Sequence, residues 1–593
     1  MKYLFIFFFV SVLWSCNKDI FSPDRLFFDG STGYIANRSA NELLQFKPDL
    51  QSLDKKVIFE SPVNDLERIP DERLWVVCDG YTGKLYELND IDLKIISETE
   101  IGNSPSAVQY NSLTKSLWIA QRFKNTVLEI NPSDKKIIST VEVGREPVEM
   151  ISFASDSLLL VVNNMPEMSS LDFPVAVQLS VVDVHTKHVV KRIMLPNGST
   201  DAKAIAMSKD NSYAYVTHLL ARYQLPVNQV DRGWMSTNAL SVIDLQKREI
   251  VNTILLDTPQ KGSANPWGIT VSPDNKSIIV AAAGVDELVL IDRMALHSRL
   301  NKAKDGIFET PSTRKWEDIP NDAGFMYGII TYISTGGKGP RAVISLDGKA
   351  FTANYFTGEI VEIDLATGNK TVNRSNRAAL SSSKEGKGNM YFHDATLGFQ
   401  GWQSCASCHP NDARSDGLNW DLLNDGIGNP KNTKTLVFSH QTPPNMVTGV
   451  RKNAETAVRS GLKYILFAEA NEEVSSAMDA YLVSLTTEPS PFLVKGKLSA
   501  IAERGKVTFD NHCASCHSGN YYTNGKRYKV KWSHGSEENV EMDVTTLNEA
   551  WRTAPYLYDG RSYSMKEMLK IHGPEIPMSE NELNELAEYV LSL

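Results

Sequence analysis

Two short segments of this chain hold thiols and an imidazole at a spacing that does chemistry: Cys405-Ala406-Ser407-Cys408-His409 and Cys513-Ala514-Ser515-Cys516-His517. Cysteines three positions apart let a pair of thiols add to the two vinyl groups of one haem. The histidine that follows at once reaches the iron as proximal ligand. Zinc would pool both pairs without needing a histidine after each, a redox pair wants a thioredoxin-type βαβ unit that is absent here, and a disulfide seldom bridges so short a loop. The spacing therefore predicts two covalently bound c-type haems, each with its iron. Cys405 and Cys408 would carry the first, with His409 on its iron; Cys513 and Cys516 would carry the second, with His517 on its iron.

Attachment of such haems takes place outside the bacterial cytoplasm, and the N-terminus agrees with export. Lys2 precedes an apolar run from Tyr3 to Trp14, long enough for a signal segment and too short to span a bilayer. The run ends Leu13-Trp14-Ser15-Cys16, which resembles a bacterial lipobox, in which the cysteine is diacylated and becomes the new N-terminus. Two acyl chains give a stable membrane anchor where one is marginal. Asn17 stands where retention at the inner membrane uses Asp, which implies an outer-membrane lipoprotein facing the periplasm or the exterior. Residues 1–15 thus read as a lipoprotein signal peptide and 16–29 as a tether. A formal charge of -10 argues against nucleic acid as a partner, and a mean hydropathy of -0.25 leaves no room for a bundle of spanning helices. Cys78, inside Leu74-Trp75-Val76-Val77-Cys78, reads as a buried core thiol.

The elements that must position the haem motifs begin with a repeat. Leu43–Phe46, Leu85–Leu88, Val127–Ile130, Leu179–Val182, Leu240–Ile243, Leu288–Ile291 and Ile360–Ile363 recur at spacings of 42, 42, 52, 61, 48 and 72 residues, the period of a four-stranded propeller blade with insertions in the later blades. Turn signals such as Ser272-Pro273-Asp274-Asn275 separate the strands. The units resemble YVTN or YncE-like seven-bladed propellers over residues 30–375. Insertions at Met165–Pro174, Leu219–Asn238 and Asp292–Lys338 are where such a ring would carry a binding face. A Ser-, Lys- and Gly-rich stretch reads as a linker over 376–388, followed by two mainly α-helical cytochrome c-like domains at 389–488 and 489–593. The fold class is therefore multidomain: an all-β propeller, then two helical haem domains. Ser579 with Glu582 is a capping box opening the terminal helix.

The C-terminal third resembles the bacterial di-haem cytochrome c peroxidase and MauG family, through the two haem motifs and Arg552-Thr553-Ala554-Pro555-Tyr556-Leu557-Tyr558-Asp559-Gly560, which follows that family's TAPYxHDG segment with Tyr558 in place of His. The resemblance implies a peroxidase-like oxidoreductase: one haem activates hydrogen peroxide, and the other relays electrons from an electron-donor protein not named by the sequence. It alone also implies Ca2+. The family places the distal ligand of the second haem twelve residues after Asp559-Gly560, on His572. A His-His iron has a lower potential than His-Met, because a thioether stabilises the ferrous state. Met565, Met568 and Met578 are the alternatives there. At the first haem, Asp425–Asn429 lacks the family's distal His, so the site is expected to be open, with His440 and Met446 as candidate distal groups. No tryptophan stands at the inter-haem position, Val447-Thr448-Gly449; Trp402, Trp420 and Trp551 are candidate relays or core residues. The alternative reading is an electron-transfer lipoprotein, not an enzyme, whose propeller docks a redox partner.

Overall fold

The structure, a computed structural model, describes residues 20–593 apart from 29–31, 48–52, 70–72, 226–234, 311, 423–427, 470 and 573–576. The signal segment and Cys16 lie outside the described residues. Seven four-stranded antiparallel sheets follow one another from Pro23 to Arg374, each made of four consecutive strands. The seven repeat segments read from the sequence are the third strands of the seven blades. Strands such as Thr126–Ile130 are buried along their whole length because neighbouring blades cover both faces, which is why they read as unbroken apolar runs. The outermost strands, such as Ile95–Glu100, alternate between half-buried and exposed. Five innermost strands open on a proline (Pro23, Pro105, Pro147, Pro266 and Pro340), and each has a register shift just after it. Proline is tolerated at the first residue of a strand, where its missing N–H breaks no ladder bond.

Two expected boundaries are corrected. The supposed tether at 16–29 already contains Ile20–Phe21 and the first blade strand Pro23–Phe28. The supposed linker at 376–388 contains Ala378–Ala379, which pairs in parallel with Ile20–Phe21, and the beginning of a helix capped by Ser383. The ring closes through that pairing and through an apolar cluster, including Phe21, Leu26, Phe46, Phe351 and Ile360, shared by the first and seventh blades.

Helix α1 (Arg293–Lys304) belongs to the last long insertion of the propeller. The helical region comprises α2 (Lys384–His393), α3 (Ala454–Tyr464), α4 (Glu472–Ser484), α5 (Ala500–His512), α6 (Met565–His572) and α7 (Glu580–Leu591). It contains two units of one design. In the first, α2 crosses α4 at Gly388, where an added Cβ would lie 1.9 Å from the Ala477 carbonyl oxygen; in the second, α5 crosses α7 at Gly505, 1.8 Å from that of Glu585. Only glycine permits two helix backbones to approach so closely. Gly388, at the end of the stretch read as linker, is thus the contact of a helix pair. The expected capping box at Ser579 and Glu582 is present.

The inserted propeller loops are occupied by the chain's own helical region. Ser170 Oγ donates to the Gly417 carbonyl (2.7 Å) and Ser169 Oγ to that of Gly560 (3.1 Å). Val175, Ala221, Tyr223 and Met235 pack on Leu418 and Trp420. Arg145 donates to the carbonyls of Ala554 (2.7 Å) and Arg552 (2.6 Å).

Candidate functional site

The first motif lies against the propeller. Asn265 Nδ2 donates to Ser404 Oγ (2.9 Å), and Ser407 Oγ donates to Asn265 Oδ1 (3.0 Å), so one propeller side chain clamps the residues before and within the motif. Asn411 Nδ2 donates to Asn164 Oδ1 at 2.6 Å. Cys405, Cys408 and His409 line a partly open, mostly apolar cavity whose wall includes Trp420, Met446, Thr448, Asp543 and Thr545. Its other wall is α3, which contributes Ala454, Ala457, Val458 and Gly461, one stripe at helical spacing. Burial pushes the Cys405 thiol up to about 12 and the His409 imidazole down to about 4, the carbonyls of Arg414 and Lys434 opposing the latter. The imidazole is therefore neutral at physiological pH, the form that binds a metal.

The second motif is more open in its middle, where Ser515 is exposed and Ser407 of the first is buried, while Cys513, Cys516 and His517 are half-buried as Cys405, Cys408 and His409 are. His517 Nδ1 sits 2.9 Å from the Tyr522 carbonyl oxygen, which fixes the ring and leaves Nε2 for another partner. Across from it stands His572, at the end of α6. The ring centroids are 6.2 Å apart with the planes at 89°, a gap that leaves room for one metal ion bonded to a nitrogen of each ring. His572 keeps an exposed surface, but the protein atoms crowded round its ring, and then the neighbouring His517, hold it down to about 4, so it too is neutral. Met565 and Met568 are buried in the core of this unit with Leu569 and Leu586, and Met578 packs beside them.

The two units repeat at this level as well. Asn445 pairs with Arg451 as Tyr556 pairs with Ser562. Met446 (φ 70°) and Gly449 (φ 63°) adopt the left-handed conformation as Leu557 (φ 72°) and Gly560 (φ 60°) do, and α3 begins at Ala454 as α6 begins at Met565. Every pair is 111 positions apart. The same offset carries His572 back to Gly461. Where the second site presents an imidazole, the first presents a glycine, and a Cβ built there meets nothing within 4 Å.

The two candidate distal groups part company. Met446 lines the cavity. His440 faces a separate surface cleft with Lys384, Glu385 and Glu472, held by Asp479 at 3.0 Å, itself paired with Arg459 at 2.8 Å. Of the loop expected to lack a distal His, 425–427 lie outside the described residues. Tyr558, in place of the family's His, meets His534 Nδ1 through its hydroxyl at 2.8 Å and stacks with Trp532. Trp420 borders the cavity and donates to Asp416 at 2.8 Å; Trp402 is buried, and Trp551 packs edge-on against Phe123. Arg414 and Glu549 form a buried pair (2.8 Å) joining the two helical units, a contact that sequence reasoning missed. All four motif cysteines are free thiols. Among the described residues no cluster of three or more His, Cys, Asp or Glu side chains is set to hold a metal ion.

The fold and the second site define a cytochrome c domain behind a seven-bladed propeller, and residues 502–593 match the cytochrome c family model. That domain implies a covalently bound c-type haem with iron, and the free thiols of Cys513 and Cys516 beside two facing neutral imidazoles fit one. Two curated relatives come from Kuenenia stuttgartiensis. The hydrazine synthase subunit gamma is 25% identical over a match covering 35% of this chain and 76% of that one. The hydrazine synthase subunit beta is 24% identical, over 31% of this chain and 46% of that one, so this chain spans under half of the beta subunit. A solved structure of Kuenenia stuttgartiensis hydrazine synthase shares the fold over 60% of this chain and 97% of that one, with a TM-score of 0.51 at 19% identity. The chain is thus similar to parts of two hydrazine synthase subunits, and its cytochrome c domain supports a haem redox function.

Proposed function

We propose that the chain is a di-haem oxidoreductase in which the second site relays electrons and the first turns over a small neutral molecule, with hydrogen peroxide as the first candidate. Gly461 carries this reading: it stands at the position of His572, so that among the described residues the first cavity lacks the imidazole that the second site presents there. At the second site His517 and His572 would hold a haem, which would then serve electron transfer, whereas an iron with an open position would also bind and reduce substrate. At the first site Cys405 and Cys408 would anchor a haem and His409 would hold its iron. The α3 stripe excludes water, and Met446 borders the space left for the substrate. The peroxidase and MauG resemblance names peroxide. A small nitrogen compound is the second reading, favoured by the hydrazine synthase relatives and by the diversion of His440 to Asp479, which removes the imidazole that would shuttle a proton between peroxide oxygens.

Export, lipidation at Cys16 and an outer-membrane location are part of the proposal on the strength of the N-terminal sequence. The test is the EPR and absorption spectrum of the purified diferric protein, before and after stoichiometric hydrogen peroxide and, separately, hydroxylamine. One high-spin and one low-spin iron, the high-spin signal responding to either compound, supports the reading. Two low-spin irons indifferent to both, even after partial reduction, leaves an electron-transfer protein.

A further inference from the structure

The loops that leave the two haem motifs correspond residue for residue, 108 positions apart like the motifs themselves, with Asn411 against Gly519 and Arg414 against Tyr522. Gly519 takes the left-handed conformation (φ 71°), is exposed, and a Cβ there would meet nothing within 4 Å. The first loop turns without a glycine: Asn411 (φ 55°), Asp412 (φ 60°) and Ala413 (φ 66°) are all left-handed, a conformation unfavourable to L-residues that Asn and Asp tolerate better than Ala. Backbone of this kind persists where its surroundings impose it.

Those surroundings are the propeller on one side and the second helical unit on the other. Asn411 Nδ2 donates to Asn164 Oδ1 at 2.6 Å, and Lys203 Nζ donates to Asn411 Oδ1 at 3.2 Å, so the propeller holds both ends of this amide. Lys203 is itself fixed by Asp201 at 2.7 Å and by the Trp267 ring, 4.6 Å away. Arg414 is anchored to Glu549 of the second unit and to the Thr486 carbonyl, each at 2.8 Å. The turn stretched between these anchors follows directly on His409.

The two proximal imidazoles differ accordingly. With iron on Nε2, the proton of a neutral ring is on Nδ1, and a carbonyl that accepts it makes the ring a stronger donor to the metal. His517 Nδ1 has the Tyr522 carbonyl at 2.9 Å. The carbonyls of Arg414 and Lys434 lie close enough to His409 to favour its charged form, yet neither accepts a hydrogen bond from Nδ1, which is buried and without a partner among the described residues. A ligand left unassisted in this way stabilises ferric iron less, so the ferrous state is easier to reach.

We propose that Asn164 and Lys203 are positioning residues for His409: by holding the turn at Asn411, the propeller keeps the Arg414 carbonyl off Nδ1 and so directs electrons from the second haem to the first. The inference rests on the reading of the second site as the relay and the first as the place of turnover. Each transfer moves one electron from the second haem, which is oxidised, to the first, which is reduced, with no bond made or broken.

The test uses the full holoprotein and three variants. Asn411→Gly gives the first loop the residue of the second and releases it from the propeller, Asn164→Ala removes one partner and leaves Lys203, and Asn411→Asp keeps an acceptor for Lys203. In spectroelectrochemistry, the equilibrium constant for sharing one electron between the haems is expected to shift at least threefold towards the second haem in Asn411→Gly, less in Asn164→Ala and least in Asn411→Asp. Resonance Raman spectra of the reduced protein should show the iron–histidine stretching band of the first haem raised in the same order, because a hydrogen-bonded imidazole binds iron more strongly. Unchanged equilibrium and band in Asn411→Gly overturn the positioning role, as does a band that falls, or an equal shift at both haems, which would mark general loosening. If Asn411→Gly fails to keep its first haem, Asn164→Ala decides by the same two readouts. A wild type without that band at the first haem has no open position there, which sinks the turnover reading, while the electron-sharing equilibrium still decides the positioning role.

Discussion

Replacing Gly461 with His should convert the first site into a copy of the second. The substitution is sterically free, since a Cβ at this position meets nothing within 4 Å. It is also energetically mild: glycine in a helix interior costs about 0.5–1 kcal/mol relative to alanine, and histidine recovers roughly half of that. The fold should therefore be unchanged, with Tm shifted by less than about 2 °C. The new imidazole would stand to His409 as His572 stands to His517, at a ring separation near 6.2 Å. A net preference of only about 2.7 kcal/mol for the closed state leaves roughly 1% of molecules open. Turnover, and carbon monoxide uptake by the reduced protein, should fall about 100-fold, while the EPR signal assigned to the first iron passes from high to low spin. The second site serves as internal control and should not change. The reasoning is refuted if the variant keeps a high-spin signal with unaltered turnover, or if the wild type already shows two low-spin irons.

Three further outcomes follow from the same geometry. Gly505→Ala forces a methyl to 1.8 Å from the Glu585 carbonyl oxygen; overpacking of this kind should cost about 3 kcal/mol and lower haem content at the second site, measured by thermal melting and pyridine haemochrome. Glu146 is buried between the propeller and the helical region; burial alone would raise it, but Arg552, Arg122 and Arg145 outweigh this and hold it down to about 2. Its charge therefore contributes stability, about 3 kcal/mol, in full above pH ~4.5 and progressively less as pH falls towards 2. Glu146→Gln should lower Tm at neutral pH, with the gap to wild type closing below pH ~4.5. His440→Ala should cost about 1–2 kcal/mol through the lost contact with Asp479, yet leave the spectra and turnover unchanged, because His440 faces the surface cleft and not the cavity. A loss of turnover at unchanged stability would return His440 to the site.

Much of this architecture was legible because it is repetitive. The third strand of each blade is covered on both faces, so Val127–Ile130 and its six counterparts stand out as apolar runs at a base period that the insertions only lengthen. The first blade strand was harder to see: Pro23–Phe28 follows the lipobox directly and reads as tether. Gly388 reads as linker composition, since flexibility and close helix approach call for the same residue. At the second site, the count of twelve from Asp559-Gly560 reached His572. The same count from Thr448-Gly449 reaches Gly461, a signal present in the sequence but silent, because a missing ligand draws no attention without its counterpart beside it. The contacts that seat the helical region on the ring were not legible at all. Asn265 with Ser404 and Ser407, Arg145 with Ala554, and Arg414 with Glu549 are single polar residues more than a hundred positions apart, and nothing in their local sequence marks them.

The clamp of Asn265 on Ser404 and Ser407 has a bearing on maturation. A haem joined to Cys405 and Cys408 would meet thiols that are half-buried, as those of Cys513 and Cys516 are, but in a motif whose middle residues Ala406 and Ser407 are buried, where Ser515 of the second is exposed. Whatever has to grip the motif during attachment would therefore reach the first more easily before the helical region settles onto the ring, and the second either before or after. Assembly of this chain would then have a preferred direction in time.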